Sequence, residues 1–192
     1  MENKDTPKPT SDEPPKENKV TVTVEGFSNE GEEEIDYDKL IRDFGCSAIS
    51  EEMIERFKKI TGREPHIFLK RGIFFSQRDL DLWLNAYEQG KPVYLYTGRG
   101  PSGEAMHMGH LLPFIFTQWM QDVFDCPLVI QLTDDEKFFM KGSGEKKDIS
   151  HYTALGLENA KDIIACGFKK DKTFIFQDTM YIGTMYPNVC RF

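Results

Sequence analysis

An α/β fold built on an open parallel sheet is what the residues predict, and three observations predict it. Short apolar strand-like runs end at Thr97, Thr133 and Phe176, two long helical patterns lie between them, and glycine or proline marks most of the boundaries. Strand, helix, strand, helix, strand is the order of parallel strands joined by crossover helices.

The chain ahead of that pattern divides by composition. Residues 1–19 hold Pro7, Pro9, Pro14 and Pro15 among charged and hydroxyl side chains, so little apolar surface offsets the entropy of ordering, and a disordered tail is expected. Val20, Val22 and Val24 alternate with Thr21 and Thr23, the period of a half-buried strand, with Gly26 to Gly31 turning it into a hairpin. Glu32, Glu33 and Glu34 read as a solvated linker. A short helix is expected around Asp36 to Phe44, stopped by Gly45. Ser50 caps another, with Glu51 and Glu52 in its first turn, Ile54, Phe57 and Ile60 on one face and Gly62 past its end. Ser76 and Asp79 resemble a capping box before Leu80, Trp83, Leu84 and Tyr87, and Gly90 closes that helix. Residues 20–91 are thus read as an amino-terminal hairpin and helical extension, and 92–192 as the parallel-sheet region.

Pro92 to Thr97 is the first strand of that region. From about His110 to Phe124 the residues are almost wholly apolar, so this helix should be buried on most sides. It must stop by Cys126, because Pro127 disfavours the helical region for the residue before it. Leu128 to Thr133 makes the second strand, Ser150 to Cys166 the second helix, ended by Gly167, and Lys172 to Phe176 the third strand; Lys141 to Lys147 reads as a mobile connection. Ligands of open α/β sheets bind at the carboxyl ends of the strands. Here those ends are Thr97 to Gly100, Asp134 to Lys137, and Gln177 with Asp178.

Length and charge bound the function classes. The 192 residues suggest one domain or slightly more, with a formal net charge of −8. Residues 1–38 hold 12 Asp/Glu and 4 Lys, which accounts for all of it, so the sheet-bearing part is neutral overall. The basic balance of a typical nucleic-acid binder is absent, which withholds support for such a partner without excluding one. Cys46, Cys126, Cys166 and Cys190 show neither C-x-x-C pairing nor zinc-like spacing with histidine, so no metal site is expected and a reducing, cytoplasmic setting is the default. No apolar run approaches the roughly 20 residues of a membrane-spanning helix, and no membrane or secretory signal is read.

Two segments carry chemistry. Gly98-Arg99-Gly100-Pro101-Ser102-Gly103 formally matches the G-x-G-x-x-G dinucleotide fingerprint. Pro101 sits inside it, and the acid at the end of the next strand, Asp134, lies far beyond the usual spacing of about 20 residues, both of which weigh against a dehydrogenase. His107-Met108-Gly109-His110 fits better: it opens the buried helix, where free N–H groups and a partial positive charge attract an anion. Two histidines add donors for phosphate oxygens, and Gly109 lets a flat base approach the backbone. Such a site would stabilise charge on ATP as pyrophosphate leaves. A merely polar helix start remains the alternative on these residues alone.

These four residues do not stand alone. Tyr94 to Pro101, Glu104 to Leu111, Phe116 to Phe124, Val129 to Lys137 and Glu158 to Phe168 resemble the class I aminoacyl-tRNA synthetases, and within them the eukaryotic and archaeal cytoplasmic tryptophanyl-tRNA synthetases. His107 to His110 stands where that class has His-Ile-Gly-His, and the likeness covers about residues 35–182. It implies a partial Rossmann-like sheet of the class I type, catalytic roles for His107 and His110, and ATP contacts from Arg99, Gly100, His107, Gly109, His110 and Lys137. Tyr96, Gln131 and Glu136 match positions that contact tryptophan, and their oxygens suit an indole N–H and an ammonium group. ATP with Mg²⁺, tryptophan and tRNA(Trp) are the implied substrates, and a homodimer the implied full-length assembly. Nothing of the Lys-Met-Ser-Lys-Ser type occurs in these residues, so the chain reads as the amino-terminal half of such an enzyme, with little activity expected alone. Two other readings stay open: a different H-x-G-H nucleotidyltransferase, and a non-catalytic interaction protein using its acidic amino-terminal region.

Overall fold

The computed structural model describes residues 20–23, 26–29, 41, 43–142, 144 and 147–192. Contacts divide the chain into two compact units, Met1–Ser47 and Ala48–Phe192. In the first, strands β1 (Val20–Thr23) and β2 (Gly26–Asn29) pair antiparallel, Val20 opposite Asn29 and Thr23 opposite Gly26. Gly26, expected to open the turn, therefore starts the second strand instead. The tail of residues 1–19, the glutamate linker and all of the helix expected from Asp36 to Phe44 except 41, 43 and 44 lie outside the described residues.

The second unit begins with helices whose ends are set by local chemistry. Helix α1 (Glu51–Thr61) starts at Ser50, whose hydroxyl accepts the Met53 N–H at 3.3 Å, and closes on Gly62 in the left-handed region at φ 65°. After the single turn α2 (Ile67–Lys70), helix α3 (Leu80–Glu88) follows. The capping box expected there does not form: Asp79, expected inside the first turn, is instead the residue before the helix, at φ 59° and with no capping bond, and Gln77 Oε1 accepts the Leu80 N–H at 2.9 Å.

Strands β3 (Leu95–Arg99), β4 (Leu128–Leu132) and β5 (Thr173–Gln177) form a parallel sheet in that order, with Leu95 opposite Leu128 and Leu128 opposite Thr173. Helix α4 (Met108–Phe124) links β3 to β4; α5 (Asp134–Lys137), a π-type turn at Phe138–Gly142 and α6 (Ile149–Ala165) link β4 to β5; α7 (Asp178–Val189) follows. Of the connection expected at Lys141 to Lys147, residues 143, 145 and 146 lie outside the described set.

Helix α4 is apolar on most sides because it serves two cores. Met120 and Phe124 pack with Met53 and Phe57 of α1 and Leu84 of α3, while Phe114 packs with Leu128, Ile130 and Leu132 of the central strand and Ile163 of α6. Its end is fixed by Asp125 at φ 49°, just before Cys126 and Pro127. Among the described residues no helix is long and apolar enough to cross a membrane.

Candidate active site

Side chains alternate along a strand, so the register places Tyr96, Gly98, Val129, Gln131, Phe174 and Phe176 on one sheet face, opposite the face formed by Leu128, Ile130 and Leu132. On the first face the Tyr96 hydroxyl donates to Gln131 Oε1. The Gln131 amide donates in turn to both carboxylate oxygens of Asp178, at 2.7 and 2.8 Å. Asp178 is only 5% exposed. Burial, with Asp135 and Asp134 nearby, pushes its carboxyl up to about 6, against the Gln131 hydrogen bond that favours ionisation. Burial first, and then the Asp178 charge, raises the Tyr96 phenol.

Around the end of β3 a cationic cluster assembles. His107 is the extended residue capping α4, and the His107 and His110 rings stack with centroids 3.6 Å apart. The Arg99 guanidinium reaches His110 Nδ1 at 3.2 Å. A guanidinium only donates, so Nδ1 is the acceptor and Nε2 carries the ring proton, free to donate onward. Burial first, then Arg99 and His107, lower the His110 pKa and favour this neutral form. Burial also lowers Arg99 from its usual value.

The loop from Gly100 to His107 is pinned from α6. Asn159, fully buried, accepts from Arg99 Nε at 3.3 Å and donates to the carbonyls of Gly103 and Glu104 at 2.7 and 3.2 Å. Asp162 Oδ2 accepts the Met106 N–H at 3.0 Å. Eight residues therefore separate the last strand residue Arg99 from the first helical residue Met108, and the glycine run opens no helix as a dinucleotide fingerprint would. A methyl group on Gly100 would sit 2.2 Å from Lys137 Cε, so the lysine could not keep this place over a larger residue. Lys137 thus lies over the glycine turn, with its ammonium 3.8 Å from Glu136. At Gly109 the space beside the backbone is taken by the His107 ring, 3.1 Å from where a methyl group would stand.

The structure therefore brings Arg99, His107, Gly109 and His110 together, sets Lys137 on Gly100, and joins Tyr96 to Gln131. Glu136 stands apart from that pair, accepting the Thr133 hydroxyl at 2.7 Å. Asp178 is marked by sequence only as a strand end, without a role, and Asn159 not at all. Asp178 had the signal of its place at the end of the third strand. Asn159 had another: it interrupts the inward stripe of Tyr152, Leu155, Gly156 and Ile163 at helical spacing, and a polar residue on such a stripe needs partners.

The model of the family "tRNA synthetases class I (W and Y)" matches residues 88–188. A cytoplasmic tryptophan–tRNA ligase of Saccharomyces cerevisiae is 56% identical over 158 residues, 82% of this chain and 36% of that protein. Among solved structures, the tryptophanyl-tRNA synthetase of Plasmodium falciparum aligns with a TM-score of 0.76 at 51% identity, covering 81% of this chain and 42% of that one. A tryptophanyl-tRNA synthetase from Encephalitozoon cuniculi, bound to tryptophan, aligns at 0.77 and 42% identity, covering 82% and 43%. The chain spans little more than a third of the yeast relative's length.

Proposed function

We propose that this chain, which belongs to the class I tRNA synthetases of the tryptophan and tyrosine branch, carries the first half of the catalytic site of a cytoplasmic tryptophan–tRNA ligase. The observation that supports this best is the placement of two different sites at the same end of the parallel sheet. The cluster of Arg99, His107 and His110 suits phosphate oxygens, and the Tyr96–Gln131 pair suits an indole N–H; Tyr96 and Arg99 lie three residues apart on β3, Gln131 near the end of β4, and His107 and His110 at the start of α4. The names of the relatives at 56% and 51% identity favour tryptophan over tyrosine.

In the proposed reaction a tryptophan carboxylate oxygen attacks the α-phosphorus of ATP, the bond to the β-phosphate oxygen breaks, and pyrophosphate leaves. The activated carboxyl then passes to the terminal hydroxyl of tRNA(Trp), releasing AMP. His107 and the His110 Nε2–H donate to the phosphates, Arg99 and Lys137 offset their charge, and the Met108 and Gly109 N–H groups at the start of α4 serve the same anion, those of His110 and Leu111 being bonded to the His107 carbonyl. Mg²⁺ enters with ATP as part of the substrate. Glu136 is assigned to the substrate ammonium, and a homodimer to the full-length enzyme.

Tryptophan-dependent exchange of pyrophosphate into ATP tests the reading. Little exchange is expected from the 192 residues alone, because they hold no second class signature for ATP. A tryptophanyl-adenylate analogue is expected to raise the melting temperature more than its tyrosyl counterpart does. Equal shifts, or exchange driven by tyrosine, would overturn the specificity.

A further inference from the structure

The Tyr96 phenol, 60% exposed, is the outermost member of a hydrogen-bonded row that runs inward through Gln131 to the buried carboxylate of Asp178. Each link has a direction. An ionised carboxylate only accepts, so it takes the Gln131 NH₂ and leaves the Gln131 carbonyl facing Tyr96. The Tyr96 O–H is then spent on that carbonyl. What remains on the open side of the phenol is a pair of lone pairs, which accept and do not donate. A reversed amide would set its carbonyl against the carboxylate, and a charge-assisted bond would be exchanged for a repulsion.

The geometry points to Asp178 as a positioning residue for amino-acid selection, acting through the Gln131 amide to hold Tyr96 as an acceptor of a ring N–H. This rests on the tryptophan reading above. Asp178 itself stands behind Gln131 and acts only through it. The Asp135 carboxyl lies within hydrogen-bonding reach of Asp178, which makes one substitution informative: in Asp178→Asn the new NH₂ finds Asp135, so the remaining oxygen still faces Gln131. Asparagine should therefore preserve the row, whereas Asp178→Ala removes its inner end.

The test compares binding of tryptophan with binding of 3-benzothienylalanine, in which sulfur replaces the ring N–H, measured by calorimetry on the full chain. The ratio of the two affinities cancels effects on the shared ammonium and carboxylate and any general loosening. Tryptophan is expected to be preferred by the native chain. Tyr96→Phe and Asp178→Ala should each lower the preference about threefold to tenfold, the span of one neutral hydrogen bond; Asp178→Asn should retain it, and Asp178→Ala should add nothing in the Tyr96→Phe background. Should Asp178→Ala lose cooperative unfolding, Asp178→Leu takes its place. An unchanged ratio in Asp178→Ala, a loss in Asp178→Asn equal to that in alanine, or an unchanged ratio in Tyr96→Phe overturns the assignment while leaving tryptophan binding intact. If the native chain binds neither ligand, the tryptophan reading falls and the assignment falls with it.

Discussion

A methyl group at two glycines should have opposite consequences. At Gly156 it would stand 2.3 Å from Gln177 Nε2, and Gln177 is 5% exposed with its amide donating to the Thr153 carbonyl, so nothing nearby has room to yield. Gly156→Ala is expected to cost about 1–3 kcal/mol in urea denaturation, as overpacking does. Gly100→Ala meets the far end of a lysine, which can swing out. Its stability should stay within about 0.5 kcal/mol, while affinity for an adenylate analogue falls because Lys137 has left the glycine turn. Asp178 sets a pH dependence of unusual sign for a carboxylate. Its folded pKa of about 6 lies above the ordinary carboxyl value of 3.8, so between these values the folded chain holds more protons than the unfolded one and stability falls as pH rises. His66 and His110, both lowered from 6.5, act oppositely in part of that window. Glu64 and Asp125, pulled down to about 2 by their lysine partners, contribute fully above about pH 5 and drop out of the comparison. Subtracting the Asp178→Asn urea-midpoint curve from the native one isolates the Asp178 contribution, which should decline from pH 4.5 to 7; a flat or rising difference would contradict the raised carboxyl.

At the scale of elements, helix ends give the cleanest contrast. Ser50 holds the Met53 N–H and Ser76 holds none at the start of α3, where Gln77 does the capping. Ser50→Ala should cost about 1 kcal/mol and Ser76→Ala no more than about 0.5 kcal/mol in either direction, both read from chemical denaturation midpoints. The same pair shows where sequence was legible. Ser50 works through φ, ψ and a neighbour three residues away, all encoded locally, whereas Asp79 is put into the left-handed region by the path of the chain, which no spacing rule contains. The strands were legible from their apolar runs, with β3 displaced because Gly98 and Arg99 extend the pairing with Gln131 and Leu132 past the apolar stretch. In the site, His107 and His110 announce themselves at a helix start. The Asn159 strut and the Lys137 cover on Gly100 join residues tens of positions apart, and only the folded sheet brings them together.

For the second unit as a whole, the apolar core lies behind one sheet face, while the other leaves Phe174 at 42% exposure and Tyr96 at 60%, with Met180 and Tyr186 of α7 also exposed. An outer strand with exposed aromatic side chains invites pairing between chains. Light scattering should therefore grow with concentration in the native chain, and Phe174→Glu should suppress it with little change in melting temperature. The strand order carries a second consequence, for the time at which each part is made. Because β3, β4 and β5 lie side by side in the order of synthesis, every emerging strand meets a neighbour already outside the ribosome, and none waits for a later one to be inserted between. With Leu128 and Thr173 some 45 residues apart and elongation at roughly 5–20 residues per second, the interval between successive strands is a few seconds, long enough for each α/β layer to settle before the next arrives.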